Sequence, residues 1–131
     1  MAKAAHAMIR VFDLERSMAF YKTALGLETA ARFDFDDFTL VYLRNEESDF
    51  EIELTHNHDQ REPYSHGSGY GHIAVTVDDI AAEHQRLGEA GVARRDIVEM
   101  KHEGQALARI FFLEDPDGYK IEVIERGGRY A

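Results

Sequence analysis

The chain has 131 residues, no cysteine, 44% hydrophobic and 31% charged content, the profile of one soluble globular domain that needs no disulfide staples. Lacking cysteine, it has no thiolate metal site and no cysteine nucleophile. Its net charge of −10, with Arg94-Arg95 as the only adjacent basic pair, excludes a nucleic-acid footprint.

Taken in chain order, Ala5 to Val11 alternates as a strand does, with His6, Met8 and Arg10 on one face and Ala7, Ile9 and Val11 on the other. Asp13 is a natural helix N-cap, Leu14, Met18, Tyr21 and Leu25 follow at helical spacing, and Gly26 suits the residue after the helix. The acidic cluster Asp34-Phe35-Asp36-Asp37 reads as a solvated loop or strand end. Strands are predicted around Phe38–Leu43 and Phe50–Thr55, joined by a turn at Asn45–Asp49. Asn57 to Gly69, rich in His, Gly, Ser, Pro and charge, reads as a linker.

The plan then repeats. Sliding the chain by 66 residues lays His6 on His72, Val11 on Val77, Asp13 on Asp79 and Leu14 on Ile80. His72–Val77 is the matching strand, Asp78 or Asp79 caps a helix running to Gly91, and strands are expected at Ile97–Met100, Ala108–Leu113 and Tyr119–Ile124. Asp115-Pro116-Asp117-Gly118 is a strong turn signal, because proline presets φ and glycine tolerates its positive values. Lys101-His102-Glu103-Gly104 is expected to be a charged turn. The result is an α+β fold of two tandem βαβββ modules, at about 4–57 and 70–126, with a linker at about 58–69.

Each half pairs a histidine that opens its first strand with a glutamate inside its last: His6 with Glu53, and His72 with Glu122. A lone histidine at a strand start is usually structural. A carboxylate between Ile52 and Leu54, or between Ile121 and Val123, needs a partner if its face is covered, because burying an unpaired charge is costly. The duplication of both favours a metal reading: two imidazoles and two carboxylates suit a borderline divalent transition metal. Arg10 and Asn57 lie four residues beyond His6 and Glu53, about 13 Å along their strands. A pocket built this way would hold a cation at one end and grip an anionic or amide group at the other. Of the other histidines, His84 falls on the apolar stripe of the second helix and is expected in the core. His56, His58 and His66 are expected to be solvated loop residues.

Across nearly its whole length the chain resembles glyoxalase I (lactoylglutathione lyase) of the vicinal-oxygen-chelate superfamily. The resemblance is carried by His6–Leu14, Ser17-Met18-Ala19-Phe20-Tyr21, Glu51-Ile52-Glu53-Leu54-Thr55, Tyr70-Gly71-His72-Ile73-Ala74 and Glu114–Glu122. It implies that His6, Glu53, His72 and Glu122 bind one divalent ion, nickel or cobalt favoured and zinc possible. It implies that Arg10 and Asn57 hold the glutathione moiety, and that a homodimer builds each site from residues of both subunits. The implied reaction isomerises the methylglyoxal–glutathione hemithioacetal to S-lactoylglutathione through an enediolate, with Glu122, or Glu53 on the opposite face, moving the proton. Two departures lie in expected substrate loops. Leu43-Arg44-Asn45-Glu46-Glu47 replaces a glycine-rich turn, and Lys101 to Ala106 replaces a glycine pair with a nearby lysine. Alternatives are another metalloenzyme of this fold, an extradiol dioxygenase or fosfomycin-type transferase, which would leave Glu53 surplus, or a non-catalytic small-molecule-binding protein. No run long enough to span a membrane and no apolar signal core at Met1–His6 set the expected location as cytoplasmic.

Overall fold

The computed structural model describes residues 1–131, in which contacts cluster into two units, Met1–Ser65 and His66–Ala131. In the first, strand β1 (His6–Arg10) leads through Asp13 into helix α1 (Leu14–Leu25), followed by β2 (Glu28–Asp34), β3 (Phe38–Arg44) and β4 (Glu51–Asn57). The Asp13 carboxylate accepts from the Arg16 amide at 3.1 Å, satisfying one of the helix's free donors. Gly26, at φ +65, turns the chain out of the helix; that conformation is cheap only without a side chain. The sheet order is β1-β4-β3-β2, with β1 parallel to β4 and the other pairs antiparallel.

Strand register sorts the side chains. Ile9 faces Leu54, Leu54 faces Val41, and Ile52 faces Leu43; all are buried, as are Leu14, Tyr21 and Ala24 of α1. Together they form the core of this unit, where each fully buried large side chain contributes about 2–3 kcal/mol of transfer free energy. The other face carries Met8 opposite Glu53, Glu53 opposite Tyr42, and Arg10 opposite Thr55.

The second unit repeats the order with β5 (Ile73–Val77), α2 (Ile80–Glu89), β6 (Val98–His102), β7 (Gln105–Glu114) and β8 (Lys120–Glu125), arranged β5-β8-β7-β6. Asp79, rather than Asp78, caps α2 by accepting from the Ala82 amide at 3.0 Å. Val75 faces Val123, Val123 faces Phe111, and Ile121 faces Leu113 on the core side. Glu122 lies between Ala74 and Phe112 on the other. Asp115 fixes the entry to β8: its carboxylate accepts from the amides of Asp117 and Tyr119, both at 2.9 Å.

Two elements differ from the sequence expectation. β2 lies at a sheet edge with most side chains exposed, so it lacks the alternation that would announce it. β6 runs through His102, so Lys101 and His102 are strand residues; the turn is Glu103-Gly104, at φ +51 and +79. No helix is long and apolar enough to cross a membrane.

Candidate metal centre

In the first unit, the His6 imidazole reaches Glu53 with Nε2 3.3 Å from Oε2. In the second, His72 Nε2 lies 3.6 Å from Glu122 Oε1. The side chains divide alike in both pairs. The imidazoles are 41% and 43% exposed and the carboxylates only 11% and 10%. Each pair therefore sets a partly exposed imidazole beside a largely buried carboxyl group. Neither unit adds a third ligating side chain to its pair.

Donor chemistry and spacing fit a divalent ion. Two donors each about 2.1 Å from one cation stand about 3.0 Å apart across an octahedral edge and about 3.4 Å apart across a tetrahedral one. The observed 3.3 and 3.6 Å separations need only a few tenths of an ångström of adjustment. A cation would also relieve the carboxylates, whose burial is otherwise costly.

An aromatic ring stands edge-on to each histidine: Tyr42 to His6, with centroids 5.6 Å apart, and Phe112 to His72, at 5.5 Å. Tyr42 differs by its hydroxyl, which donates to Glu53 Oε1 at 2.8 Å. That hydrogen bond, then burial and the nearby carboxylates of Glu53 and Glu51, push the phenol above its ordinary range. Sequence reasoning missed Tyr42 because its importance depends on the β3–β4 register, which puts it opposite Glu53.

Arg10 and Asn57 lie toward the far end of the open face of β1 and β4, as strand periodicity predicts. The Asn57 amide donates to the Tyr64 hydroxyl at 2.9 Å, which orients it. Beside His72, a groove of about 660 Å³ is lined by Tyr70, Phe112, Glu114, Lys120, Arg94 and Arg95. The Arg94 guanidinium is partly committed elsewhere, donating to the His84 carbonyl at 2.8 Å.

Of the five remaining histidines, His102 is exposed on β6 and the other four have side-chain partners in the fold. His84 is half-buried, edge-on to Phe111 and bonded through Nε2 to the Arg95 carbonyl, as expected of a core-stripe residue. Of the three expected as solvated loop residues, His58 is an exposed turn residue as expected, His66 is in a loop but half-buried, and His56 is not in a loop. His56 is a β4 residue with Nδ1 3.3 Å from the Val11 carbonyl. His58 bridges the Thr39 hydroxyl and the Asp36 carbonyl. His66 stacks on Tyr119 at 4.0 Å. Each finds a local partner that single-sequence periodicity does not reveal.

Residues 3–123 match the Glyoxalase/Bleomycin resistance protein/Dioxygenase superfamily. The lactoylglutathione lyase of Neisseria meningitidis serogroup A is 43% identical over 126 residues, 92% of this chain and 88% of that protein. That of Haemophilus influenzae is 42% identical over 125 residues, 92% and 90% of the two chains. Among solved structures, the trypanothione-dependent glyoxalase I of Leishmania major aligns with a TM-score of 0.75 at 35% identity, covering 95% of this chain and 87% of that one.

Proposed function

The chain belongs to the glyoxalase, bleomycin resistance protein and dioxygenase superfamily and acts as a lactoylglutathione lyase, a carbon–sulfur lyase of methylglyoxal detoxification; we propose that it does so with His6, Glu53, His72 and Glu122 holding one divalent cation. The observation that carries this reading is the twofold occurrence of one arrangement: an exposed imidazole within 3.3 to 3.6 Å of a buried carboxylate. In line with the family resemblance, the proposed working form is a cytoplasmic homodimer in which His6 and Glu53 of one subunit act with His72 and Glu122 of the partner subunit. Two nitrogen and two oxygen ligands without sulfur suit nickel or cobalt, and accept zinc.

The substrate is the hemithioacetal of methylglyoxal and glutathione. A divalent cation held by His6, Glu53, His72 and Glu122 would supply Lewis acidity that stabilises negative charge developing on the adduct's oxygen. Glu122 takes the proton from C1, the electron pair of that bond moves into the carbon–oxygen framework, and the same carboxyl returns the proton to C2. The C1 hydroxyl proton passes to the C2 oxygen, so no atom is gained or lost: C1 is oxidised from the aldehyde to the thioester level while C2 is reduced from ketone to alcohol. Arg10 holds a carboxylate of the glutathione tail through a charge-assisted fork, and Asn57 contacts its amide portion. The Leishmania relative is described as trypanothione-dependent, so thiol choice is a property to be measured on this chain.

The test is ultraviolet detection of thioester formation from methylglyoxal and glutathione by metal-free protein reconstituted with nickel, cobalt or zinc. Turnover that requires metal and glutathione supports the reading. No thioester with any metal or thiol rejects it.

A further inference from the structure

We propose that Tyr42 is a positioning residue that makes the two glutamates unequal, holding Glu53 as a fixed ligand while the matching Phe112 leaves Glu122 to move the proton. This rests on the lyase reading and deepens it.

The inference comes from comparing the units position by position. Tyr42 lies directly across from Glu53 in the β3–β4 register, and Phe112 directly across from Glu122 in the β7–β8 register. Their rings meet His6 and His72 in the same edge-on manner at nearly equal distances. The carboxylates are buried to the same degree. The hydroxyl is the difference. With it, Glu53 has one oxygen on the Tyr42 O–H at 2.8 Å and the other facing His6 at 3.3 Å. Glu122 faces His72 through Oε1 and a hydrocarbon ring across the strand.

A carboxylate held through both oxygens loses rotational freedom, and a donated hydrogen bond draws electron density away from it. Both effects suit a permanent ligand and oppose a base that must swing toward a carbon acid. Glu122, with no hydroxyl on it, keeps that mobility. A phenol is protonated throughout the neutral region, so Tyr42 remains a donor there.

The experiment exchanges one oxygen between the two halves. Tyr42→Phe, Phe112→Tyr and the double exchange are made in the full chain, and circular dichroism confirms that each is folded. Nickel affinity of the metal-free proteins is measured by calorimetry, and kcat and KM on the reconstituted ones. Tyr42→Phe is expected to weaken nickel binding about 10-fold, in the range for loss of a partner to a metal ligand. Phe112→Tyr is expected to lower kcat about 10-fold with KM unchanged and nickel binding no weaker. In the double exchange, Glu53→Gln should become the more damaging of the two glutamate substitutions, a reversal that loss of packing would not produce. Wild-type nickel affinity in Tyr42→Phe overturns the anchoring role. Wild-type kcat in Phe112→Tyr overturns the division of labour. If the unmodified protein yields no thioester, the lyase reading fails, and nickel affinity alone decides whether Tyr42 anchors Glu53.

Discussion

His6 reaches Glu53 diagonally. Its backbone partner across β1 and β4 is Glu51, two residues earlier, yet its Nε2 stands 3.3 Å from Glu53 Oε2. The diagonal places the imidazole over the end of the sheet, where it is exposed, and the carboxylate inside it, where water is scarce. Because β1 and β4 run parallel, extending both strands carries Arg10 and Asn57 away from the pair in the same direction. One register thus sets the His6–Glu53 pair at one end of a single face and Arg10 and Asn57 at the other.

Glu122→Gln is expected to keep part of the nickel affinity, because the amide oxygen still ligates, but to lose turnover by about 100-fold to 10,000-fold, the range for removing a general base. Glu53→Gln is expected to cost less in kcat and more in metal affinity. Stopped-flow turnover and nickel titration of both variants are the measurements. Wild-type-like rates in Glu122→Gln would remove it as the base.

Arg10→Ala is expected to raise KM for the glutathione adduct by about 10-fold, corresponding to a lost charge-assisted hydrogen bond, with kcat little changed. Its place four residues from His6 keeps it away from the reacting carbons, so its contribution is to binding shared by ground and transition states. Steady-state kinetics decide this, and an unchanged KM removes the substrate role.

The duplication and the two histidine–glutamate pairs were legible in the sequence because each is marked by local signals. A 66-residue offset aligns the capped helix starts, and a charged residue within an apolar strand stands out. Asp13 and Gly26 bound α1 as their chemistry requires. What stayed hidden depends on register or on partners distant in sequence. Tyr42 reads as one more strand aromatic until β3 is laid against β4. The β7–β8 half carries a different offset, so sliding by 66 residues does not bring Phe112 onto Tyr42. His58 is a turn residue, as its setting suggests, but its partners Thr39 and Asp36 stayed hidden because they lie about 20 residues away. β2 escaped because an exposed edge strand has little reason to alternate.

Removing metal is expected to destabilise the protein, since Glu53 and Glu122 are both buried carboxylates that a cation would relieve. Nickel at about 100 times its Kd stabilises the folded state by about 2.7 kcal/mol, and at about 1,000 times by about 4.1 kcal/mol. For a chain of this size, these correspond to Tm rises of about 10 and 15 °C. Differential scanning calorimetry of chelator-treated and nickel-loaded protein measures it. In Glu53→Gln/Glu122→Gln the nickel-dependent rise should shrink to near zero; an undiminished rise would place the ion elsewhere.

Tyr70 predicts an alkaline limit on stability. Its hydroxyl donates to the Lys120 carbonyl at 3.0 Å, beside the Tyr119 ring, and burial, followed by the fields of Asp115 and Tyr119, raises its pKa from 10.0 to about 12. A raised pKa means the folded state prefers the protonated phenol more than the unfolded state does. This contribution is therefore complete below pH 10, and is lost as pH rises from there through about 12. Tyr70→Phe removes the titrating group together with one neutral hydrogen bond worth about 1 kcal/mol. The variant should be less stable at neutral pH but lose less of its remaining stability between pH 10 and about 12. Urea unfolding at a series of pH values tests both parts. Equal alkaline slopes in the variant and the parent would show that the Tyr70 phenol does not set that limit.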